Sequence, residues 1–103
     1  MDFCSRVWVA CRRIPKGKVS TYREIGKALD SRAYRAIGQA LRRNPYAPEV
    51  PCHRVVSSDG TIGGFQGCCS GKPIRQKTQL LRQEGVEIKK NRIVNFPQQL
   101  FRF

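Results

Sequence analysis

The sequence predicts a mainly α domain with a small β component, of winged helix-turn-helix-like architecture. Three observations lead to this prediction. Apolar residues recur at helical spacing near the N-terminus, and two short helical segments joined by a tight polar turn follow. Two short apolar runs separated by a basic turn lie near the C-terminus. Because 103 residues suffice for one modest hydrophobic core, we expect residues 1–103 to form a single domain, with no N-terminal companion domain.

The first predicted helix is amphipathic. Apolar side chains recur at near-helical spacing with arginines between them, namely Phe3, Val7, Trp8 and Cys11. The pair Ile14-Pro15 marks the end of this helix, because proline disfavours helical geometry in the residue before it. We expect the aromatic side chains of this helix to belong to the core.

Two further helices form the predicted helix-turn-helix. Ser20 or Thr21 can cap the first of them, and Glu24 stands at the spacing of a capping box with Thr21. This helix should run to about Leu29. The pair Asp30-Ser31 should end it and cap the next helix, from Arg32 to about Arg43.

The third helix is rich in small residues and arginines. Gly38 lies in its interior, where glycine costs up to about 1 kcal/mol relative to alanine. Either tight packing against a neighbouring helix or close approach to a DNA groove would explain it. In the second case several arginines could reach phosphates or bases: Arg32, Arg35, Arg42 and Arg43.

A cysteine followed by a histidine interrupts an apolar segment. Cys52 and His53 lie between Pro51 and the pair Val55-Val56, which is typical of a buried strand. Pro51 stiffens the turn that presents the sulfur. A thiolate with a base beside it would be a nucleophile. A small buried cysteine beside an ordinary histidine is the alternative for an isolated pair.

The C-terminal half contains a turn, a helix and a hairpin. Residues 57–60 contain Asp-Gly, a strong turn signal, and a glycine-rich loop follows. A last helix from Lys72 to Glu84 should direct Ile74, Leu80 and Leu81 inward and present a basic, glutamine-rich outer face. Gly85 is suited to cap it. Residues 86–88 and 93–96 then predict a β-hairpin or wing, and residues 100–103 should dock on the core.

Composition narrows the classes of partner and site. The net charge of +13 is spread along the chain, which favours a folded face for nucleic acid over a merely solvated cationic surface. Five cysteines, an odd number, argue against a disulfide framework, and a single histidine without a Cys-x-x-Cys pair argues against zinc. No segment predicts a membrane span or a signal peptide, so we expect a cytoplasmic protein, or a nuclear one in a eukaryote.

Five blocks of the sequence stand out in order along the chain: residues 14–22 (IPKGKVSTY), residues 35–45 (RAIGQALRRNP), residues 51–56 (PCHRVV), residues 63–65 (GGF) and residues 80–85 (LLRQEG). Together they resemble the O6-alkylguanine-DNA alkyltransferases, also called methylated-DNA–protein-cysteine methyltransferases. The resemblance covers the chain from about Phe3 to Ile88.

The resemblance implies a catalytic role for four residues. Glu84 would orient His53, and His53 would deprotonate Cys52 through a water molecule. The Cys52 thiolate would then displace guanine from the alkyl carbon on O6, once per molecule. Asn44 would join the third helix to the reactive segment, although a simple helix C-cap is the other interpretation of a turn asparagine. Arg54 would add positive potential near the sulfur or serve a structural role.

The resemblance also implies the surfaces for DNA and for the alkylated base. The third helix would lie in the minor groove, Arg35 would enter the base stack, and Tyr22 would help to rotate the nucleotide out. The implied DNA-binding residues are Tyr22, Arg35, Ala36, Gly38, Arg42 and Arg43. The implied pocket residues are Tyr22, Leu41, Val55, Gly64, Phe65, Gln66 and Gly67. Phe65 stands where an aromatic residue, often tyrosine, is expected, and phenylalanine cannot donate a hydrogen bond to the leaving guanine.

Three functions therefore remain in view. The first is alkyl transfer to Cys52, with double-stranded DNA containing O6-alkylguanine as partner, no metal or cofactor, no membrane, and a monomeric protein. The second is a lesion-binding protein of the alkyltransferase-like type, which lacks a cysteine at the position of Cys52. The third is a winged-helix transcription regulator, which would need base readout that an alanine- and glycine-rich helix does not offer.

Overall fold

The computed structural model describes residues 2–46, 49–63 and 72–103. The described residues confirm the predicted mainly α architecture with a small β component. Two two-stranded sheets accompany the helices. The helices are α1 (Phe3–Arg12), α2 (Tyr22–Leu29), α3 (Tyr34–Arg42), α4 (Lys72–Gln83) and α5 (Phe96–Gln99), with a 3-10 turn at Cys52–Arg54. The strands are β1 (Ser20–Thr21), β2 (Val55–Val56), β3 (Ile88–Lys89) and β4 (Arg92–Ile93).

Helix α1 forms as its apolar spacing predicts. Val7 and Cys11 are fully buried, and the Asp2 side chain caps the helix by accepting a hydrogen bond from the Ser5 amide at 2.8 Å. The indole N–H of Trp8 donates to the carbonyl oxygen of Ala40 at 2.8 Å, which ties α1 to α3. Helix α1 therefore packs against α3 and helps to fix its position.

The cap of α2 is confirmed, whereas the predicted cap of α3 is wrong. Thr21 Oγ1 accepts a hydrogen bond from the Glu24 amide at 3.1 Å. Asp30 then adopts a left-handed conformation, with φ 53°, and ends α2. Ser31 Oγ accepts from the amide of Ala33, so its capping capacity is used inside the turn. Helix α3 therefore begins at Tyr34, after an Ala33 N-cap that makes no side-chain hydrogen bond.

The tight turn between α2 and α3 depends on Gly26. A Cβ atom at this position would lie 2.6 Å from the carbonyl oxygen of Ser31 and 2.8 Å from the ring of Tyr34. Both distances are shorter than van der Waals contact. The two helices of the predicted helix-turn-helix thus cross where only glycine fits.

Strand β2 pairs in parallel with β1, an arrangement that the sequence patterns do not predict. Ser20 is opposite Val55, and Thr21 is opposite Val56. Because successive strand residues face opposite ways, Val55 enters the core formed by α1, α2 and α3, and Val56 enters a second core with α4 and the hairpin. The segment that carries Cys52 therefore runs between the two cores.

The C-terminal residues complete the other side of β1. The amide of Val19 donates to the carbonyl oxygen of Gln99 at 3.0 Å, and the amide of Phe101 donates to the carbonyl oxygen of Val19 at 2.7 Å. Phe101 and Phe103 pack against the first core. The predicted docking of residues 100–103 is confirmed.

Helix α4 and the hairpin form close to the positions that the sequence predicts. Leu81 is fully buried and Gly85, with φ 94°, ends the helix. Strands β3 and β4 form the predicted antiparallel hairpin, which is shorter than expected because α5 begins at Phe96. The predicted basic, glutamine-rich outer face is exposed at Arg75, Gln76, Gln79 and Arg82, whereas Lys77 is fully buried on the inner face of α4, which the sequence pattern does not predict.

Candidate active site

Cys52 is the first residue of the 3-10 turn between Pro51 and β2. The residue is half-buried, whereas Val50 before it and His53 after it are both 2 % exposed. The buried Val50 and His53 thus anchor the turn in the core on both sides of Cys52, which stays partly accessible. A cysteine in this setting is open to a reactant in a way that the fully buried Cys11 is not.

The His53 ring is hydrogen-bonded to Glu84, with 3.0 Å between Nε2 and Oε2. Burial lowers the pKa of His53, while the hydrogen bond and the charge of Glu84 act in the opposite direction. The imidazole is therefore neutral at pH 7 and can accept a proton. A carboxylate bound to one ring nitrogen also fixes the tautomer and orientation of the ring.

Arg54 holds the same carboxylate. Its Nε donates to Glu84 Oε1 at 2.9 Å, its Nη2 donates to Oε2 at 2.7 Å, and its Nη1 donates to the carbonyl oxygen of Ile14 at 2.9 Å. Burial acts to raise the pKa of Glu84, but the hydrogen bonds from Arg54 and His53 outweigh it and lower that pKa. Of the two roles open for Arg54, the structure supports the structural one directly.

Asn44 connects the end of α3 to the segment before Cys52. Its Nδ2 donates to the carbonyl oxygen of Val50 at 2.8 Å, and its Oδ1 accepts from the amide of Tyr46 at 2.9 Å. Arg43 is the C-cap of α3. The Asn44 side chain therefore spans the connection between α3 and the reactive segment and does more than end a helix.

Tyr22 lies beside the start of the glycine-rich loop. It is the first residue of α2 and follows β1, which is paired with β2. Gly63 has φ 75°, and a Cβ atom there would lie 2.8 Å from Ser57 Oγ and 3.7 Å from the Tyr22 hydroxyl oxygen. The parallel strand pair thus brings the Tyr22 side chain close to Gly63.

The other residues of the predicted pocket fall into two groups. Leu41 and Val55 are buried in the first core, so a contact of their side chains with a base stays a prediction. The remaining residues lie outside the described parts of the chain, as do Cys68 and Cys69. They are Gly64, Phe65, Gln66 and Gly67.

Helix α3 presents the predicted DNA-binding residues on its surface. Arg35, Ala36, Arg42 and Arg43 are exposed. Within the described parts of the chain, and apart from Gly38, its two chain neighbours and the backbone of its own helix, no atom lies within 4 Å of the position that a Cβ atom on Gly38 would occupy. Packing against a neighbouring helix therefore does not explain Gly38, and close approach of DNA at this position stays a prediction.

Sequence reasoning missed Lys77. Its Nζ donates to the carbonyl oxygens of Val55 at 2.7 Å and Ile62 at 2.6 Å. Burial lowers the pKa of Lys77 to about 7, and attraction to Cys52 acts in the opposite direction. The spacing Ile74, Lys77, Leu81 was the available signal, because residues three and four apart share one face of a helix.

The remaining observations concern the cysteine thiols, metal-binding clusters and membrane-spanning helices. Cys4, Cys11 and Cys52 have free thiols. In residues 2–46, 49–63 and 72–103, no cluster of His, Cys, Asp and Glu side chains is placed to hold a metal ion. The helices of these same residues are each too short or too polar to cross a membrane.

Comparison with known proteins gives the same family by sequence and by structure. The family model for the DNA-binding domain of 6-O-methylguanine DNA methyltransferase matches residues 2–86. The methylated-DNA–protein-cysteine methyltransferase of Methanosarcina barkeri is 46% identical over 76 residues, which are 73% of this chain and 46% of that protein. The chain spans about half the length of the curated relatives it matches.

Two solved structures with DNA are similar to this one. The complex of Mycobacterium tuberculosis OGT with DNA has a TM-score of 0.72 at 40% identity and covers 82% of this chain and 50% of that one. The complex of S. pombe Atl1 with damaged DNA containing O6-carboxymethylguanine has a TM-score of 0.84 at 32% identity, over 98% of this chain and 95% of that one. Because the sequence and the fold agree, the chain belongs to the 6-O-methylguanine DNA methyltransferase family.

Proposed function

We propose that this protein transfers an alkyl group from O6 of an alkylated guanine in duplex DNA to Cys52. One observation carries the proposal. The partly accessible Cys52 directly precedes a neutral, buried His53 whose ring is held by Glu84 at 3.0 Å. A thiol, a base and a carboxylate in this order are the groups that activated-cysteine chemistry requires.

The proposed reaction is a single displacement. His53 receives the thiol proton of Cys52 through a water molecule. The thiolate attacks the alkyl carbon, a carbon–sulfur bond forms, and the carbon–O6 bond breaks. The electron pair of that bond stays with guanine, which takes up a proton. Because water does not displace a thioether under these conditions, each molecule reacts once.

The proposed DNA complex uses α3 as the element that enters the minor groove. Exposure of Arg35 and Ala36, together with the open space at Gly38, supports this arrangement. Arg35 would occupy the gap left by the flipped nucleotide, since a planar guanidinium can stack between bases. Tyr22 would crowd the phosphate of that nucleotide. The net charge of +13 would supply the attraction to the backbone.

Lesion binding without transfer is the second candidate. It is favoured by the match to S. pombe Atl1, which extends over 98% of this chain and 95% of that one. The cysteine at position 52 favours transfer, because lesion-binding proteins of the alkyltransferase-like type are expected to lack it. The two candidates share the DNA complex and differ only in the chemistry that follows.

Intact-mass measurement separates the candidates. The protein is incubated with a duplex that contains one O6-methylguanine, and the modified peptide is identified. Transfer predicts one added methyl group on Cys52, at most one per molecule, absent in Cys52→Ala and retained in Cys4→Ala. Tighter binding to the damaged duplex with no change in mass would indicate lesion binding. Indifference to the lesion, with preference for an unmodified sequence, would instead favour a transcription regulator.

A further inference from the structure

Two exposed hydrophobic side chains line one groove between α1 and the segment that follows α3. Among the described residues, the exposed large hydrophobic side chains are Val9, Tyr34 and Tyr46, at 48%, 42% and 53%. Val9 and Tyr46 share a groove of about 230 Å³, whose other lining residues are Ser5, Trp8, Arg12 and Val50. Single exposed apolar side chains are common, whereas two that meet in a concave surface indicate a contact site.

The groove is held in place by the core and by hydrogen bonds. The rings of Trp8 and Tyr46 meet edge to face, with 5.7 Å between their centroids. The Trp8 indole N–H donates to the carbonyl oxygen of Ala40 at 2.8 Å. The amide of the buried Val50 donates to the carbonyl oxygen of Tyr46 at 2.9 Å. Because these contacts already fix the lining, binding here would order few further groups of the protein.

The size and the lining of the groove suit one apolar side chain. Its volume is below the about 300–1,000 Å³ typical of small-molecule sites. The N–H of Trp8 is already used by Ala40, so this ring offers only apolar surface. A nucleobase would place part of its polar edge against Val9 and Val50, and a polar group buried without a hydrogen bond is costly. An aromatic or branched aliphatic side chain has no such edge.

Arg12 determines the charge that suits a partner. It is the charged residue of the lining, it is exposed, and it takes part in none of the ion pairs of the described residues. Glu49 precedes Val50 but does not line the groove. A second copy of the chain would bring like charges together, since each copy carries a net charge of +13. An acidic partner is attracted by the same charge.

We propose that this groove docks a segment of a partner protein in which one aromatic or branched aliphatic side chain is flanked by acidic residues. The apolar side chain would lie between Val9 and Tyr46, and an acidic neighbour would pair with Arg12. Neither Cys52 nor Arg35 lines the groove, so this inference is independent of alkyl transfer.

The single tryptophan of the chain, Trp8, reports directly on the groove. The protein is titrated with the peptides Glu-Glu-X-Glu-Glu, in which X is Phe, Trp or Leu, and the Trp8 indole N–H is followed by NMR. We expect a saturable shift of this resonance and of the amides of Ser5 and Val9 with at least one of these peptides. Glu-Glu-Ala-Glu-Glu and Lys-Lys-Phe-Lys-Lys, the controls for the apolar side chain and for the charge, should bind at least about tenfold more weakly.

Two substitutions test the lining. Val9→Ser removes apolar contact and should weaken peptide binding about tenfold. Arg12→Gln should weaken it by about two- to fivefold, as expected for an exposed ion pair. Arg13→Gln is the matched control, because Arg13 is also exposed but lies over the Phe103 ring, 5.2 Å from its centroid. Binding by Arg13→Gln should equal that of the wild type.

Other outcomes would overturn the inference. The absence of a saturable shift with all three peptides would do so, as would equal binding of Glu-Glu-Ala-Glu-Glu. A Trp8 shift that depends on protein concentration alone and is lost in Val9→Ser would assign the groove to a second copy of the chain. Tighter binding of single-stranded oligothymidine than of the peptides, also lost in Val9→Ser, would assign it to nucleic acid. None of these measurements uses damaged DNA, so their result stands apart from methyl transfer.

Discussion

Arg54 binds Glu84 through two parallel hydrogen bonds, at 2.9 and 2.7 Å. His53, the residue before Arg54, binds the same carboxylate at 3.0 Å. Two consecutive residues of the 3-10 turn are therefore fixed by one acceptor that lies 30 residues further along the chain. The position of Cys52 at the start of this turn depends on the end of α4.

Replacement of Arg54 tests how much its hydrogen bonds to Glu84 contribute to the stability of the fold. Arg54→Lys loses the paired geometry and the link to the carbonyl oxygen of Ile14. We expect the free energy of unfolding to fall by about 1–3 kcal/mol. Urea denaturation would measure the change, with the exposed Arg12→Lys as control. Equal stability of Arg54→Lys and the wild type would contradict this prediction.

Acid should weaken the fold through Glu84. Its pKa in the folded protein is lowered from 4.5, so the unfolded state binds the proton more readily. The stabilising contribution is complete above pH 4.5 and is lost as the pH falls through the folded-state value. Glu84→Gln should therefore show a shallower loss of stability below pH 4.5. Urea midpoints measured at several pH values compare the two slopes, and identical slopes would argue against it.

His53 should add a second pH dependence at a higher pH. Burial lowers its pKa from 6.5, so below pH 6.5 the unfolded state gains a proton that the folded state resists. Stability should fall as the pH falls from 6.5 through the folded-state pKa. Since His53 is the single histidine of the chain, His53→Gln should abolish this part of the profile. Thermal unfolding between pH 5 and 7 is the measurement, and an unaltered profile in His53→Gln would refute the assignment.

Two glycines of the helix-turn-helix should respond in opposite ways to alanine. Gly38→Ala meets open space and should stabilise the fold by about 0.5–1 kcal/mol, because alanine is the better helix former. It should also weaken binding to damaged duplex DNA if α3 enters the groove. Gly26→Ala should destabilise, since its Cβ would lie 2.6 Å from the carbonyl oxygen of Ser31. Urea unfolding measures the two stabilities, and fluorescence anisotropy measures binding to damaged duplex DNA. Equal or tighter binding by Gly38→Ala would exclude close contact between Gly38 and DNA.

Arg35 can be tested with two substrates that differ in the need for base flipping. Arg35→Ala should slow methyl transfer from duplex DNA much more than reaction with free O6-benzylguanine, which needs no extrusion. Arg75→Ala, an exposed arginine on α4, is the control. Single-turnover rates provide the comparison. Equal losses on both substrates would remove Arg35 from the flipping role.

Local patterns in the sequence predict most elements of this fold. The Thr21 cap, the buried Val55-Val56 strand and the glycine that ends α4 each depend on residues a few positions apart. The start of α3 is the exception, because Ser31 satisfies an amide within the turn and leaves the helix uncapped. Whether a polar side chain caps a helix or closes the preceding turn depends on backbone geometry that the sequence pattern does not specify.

The candidate site is less predictable, because its contacts join distant residues. The Cys52-His53 pair stands out locally, but Glu84 is assigned to it only through the family resemblance. Lys77 has the residue type of a solvent-exposed position and the spacing of a buried one. The polarity of lysine predicts an exposed side chain, but Lys77 is buried. The backbone carbonyl oxygens that compensate its charge lie 15 and 22 residues away in the sequence, so no local pattern indicates them.

The hydrogen bonds between Val19 and the segment at Gln99 and Phe101 have a practical consequence for protein engineering. The last residues flank the strand from which Tyr22 emerges, so shortening the tail would unsettle the support of that tyrosine. A purification tag that pulls Phe101 out of place would have the same effect. Comparative measurements are best made on chains whose final residues are left as they are.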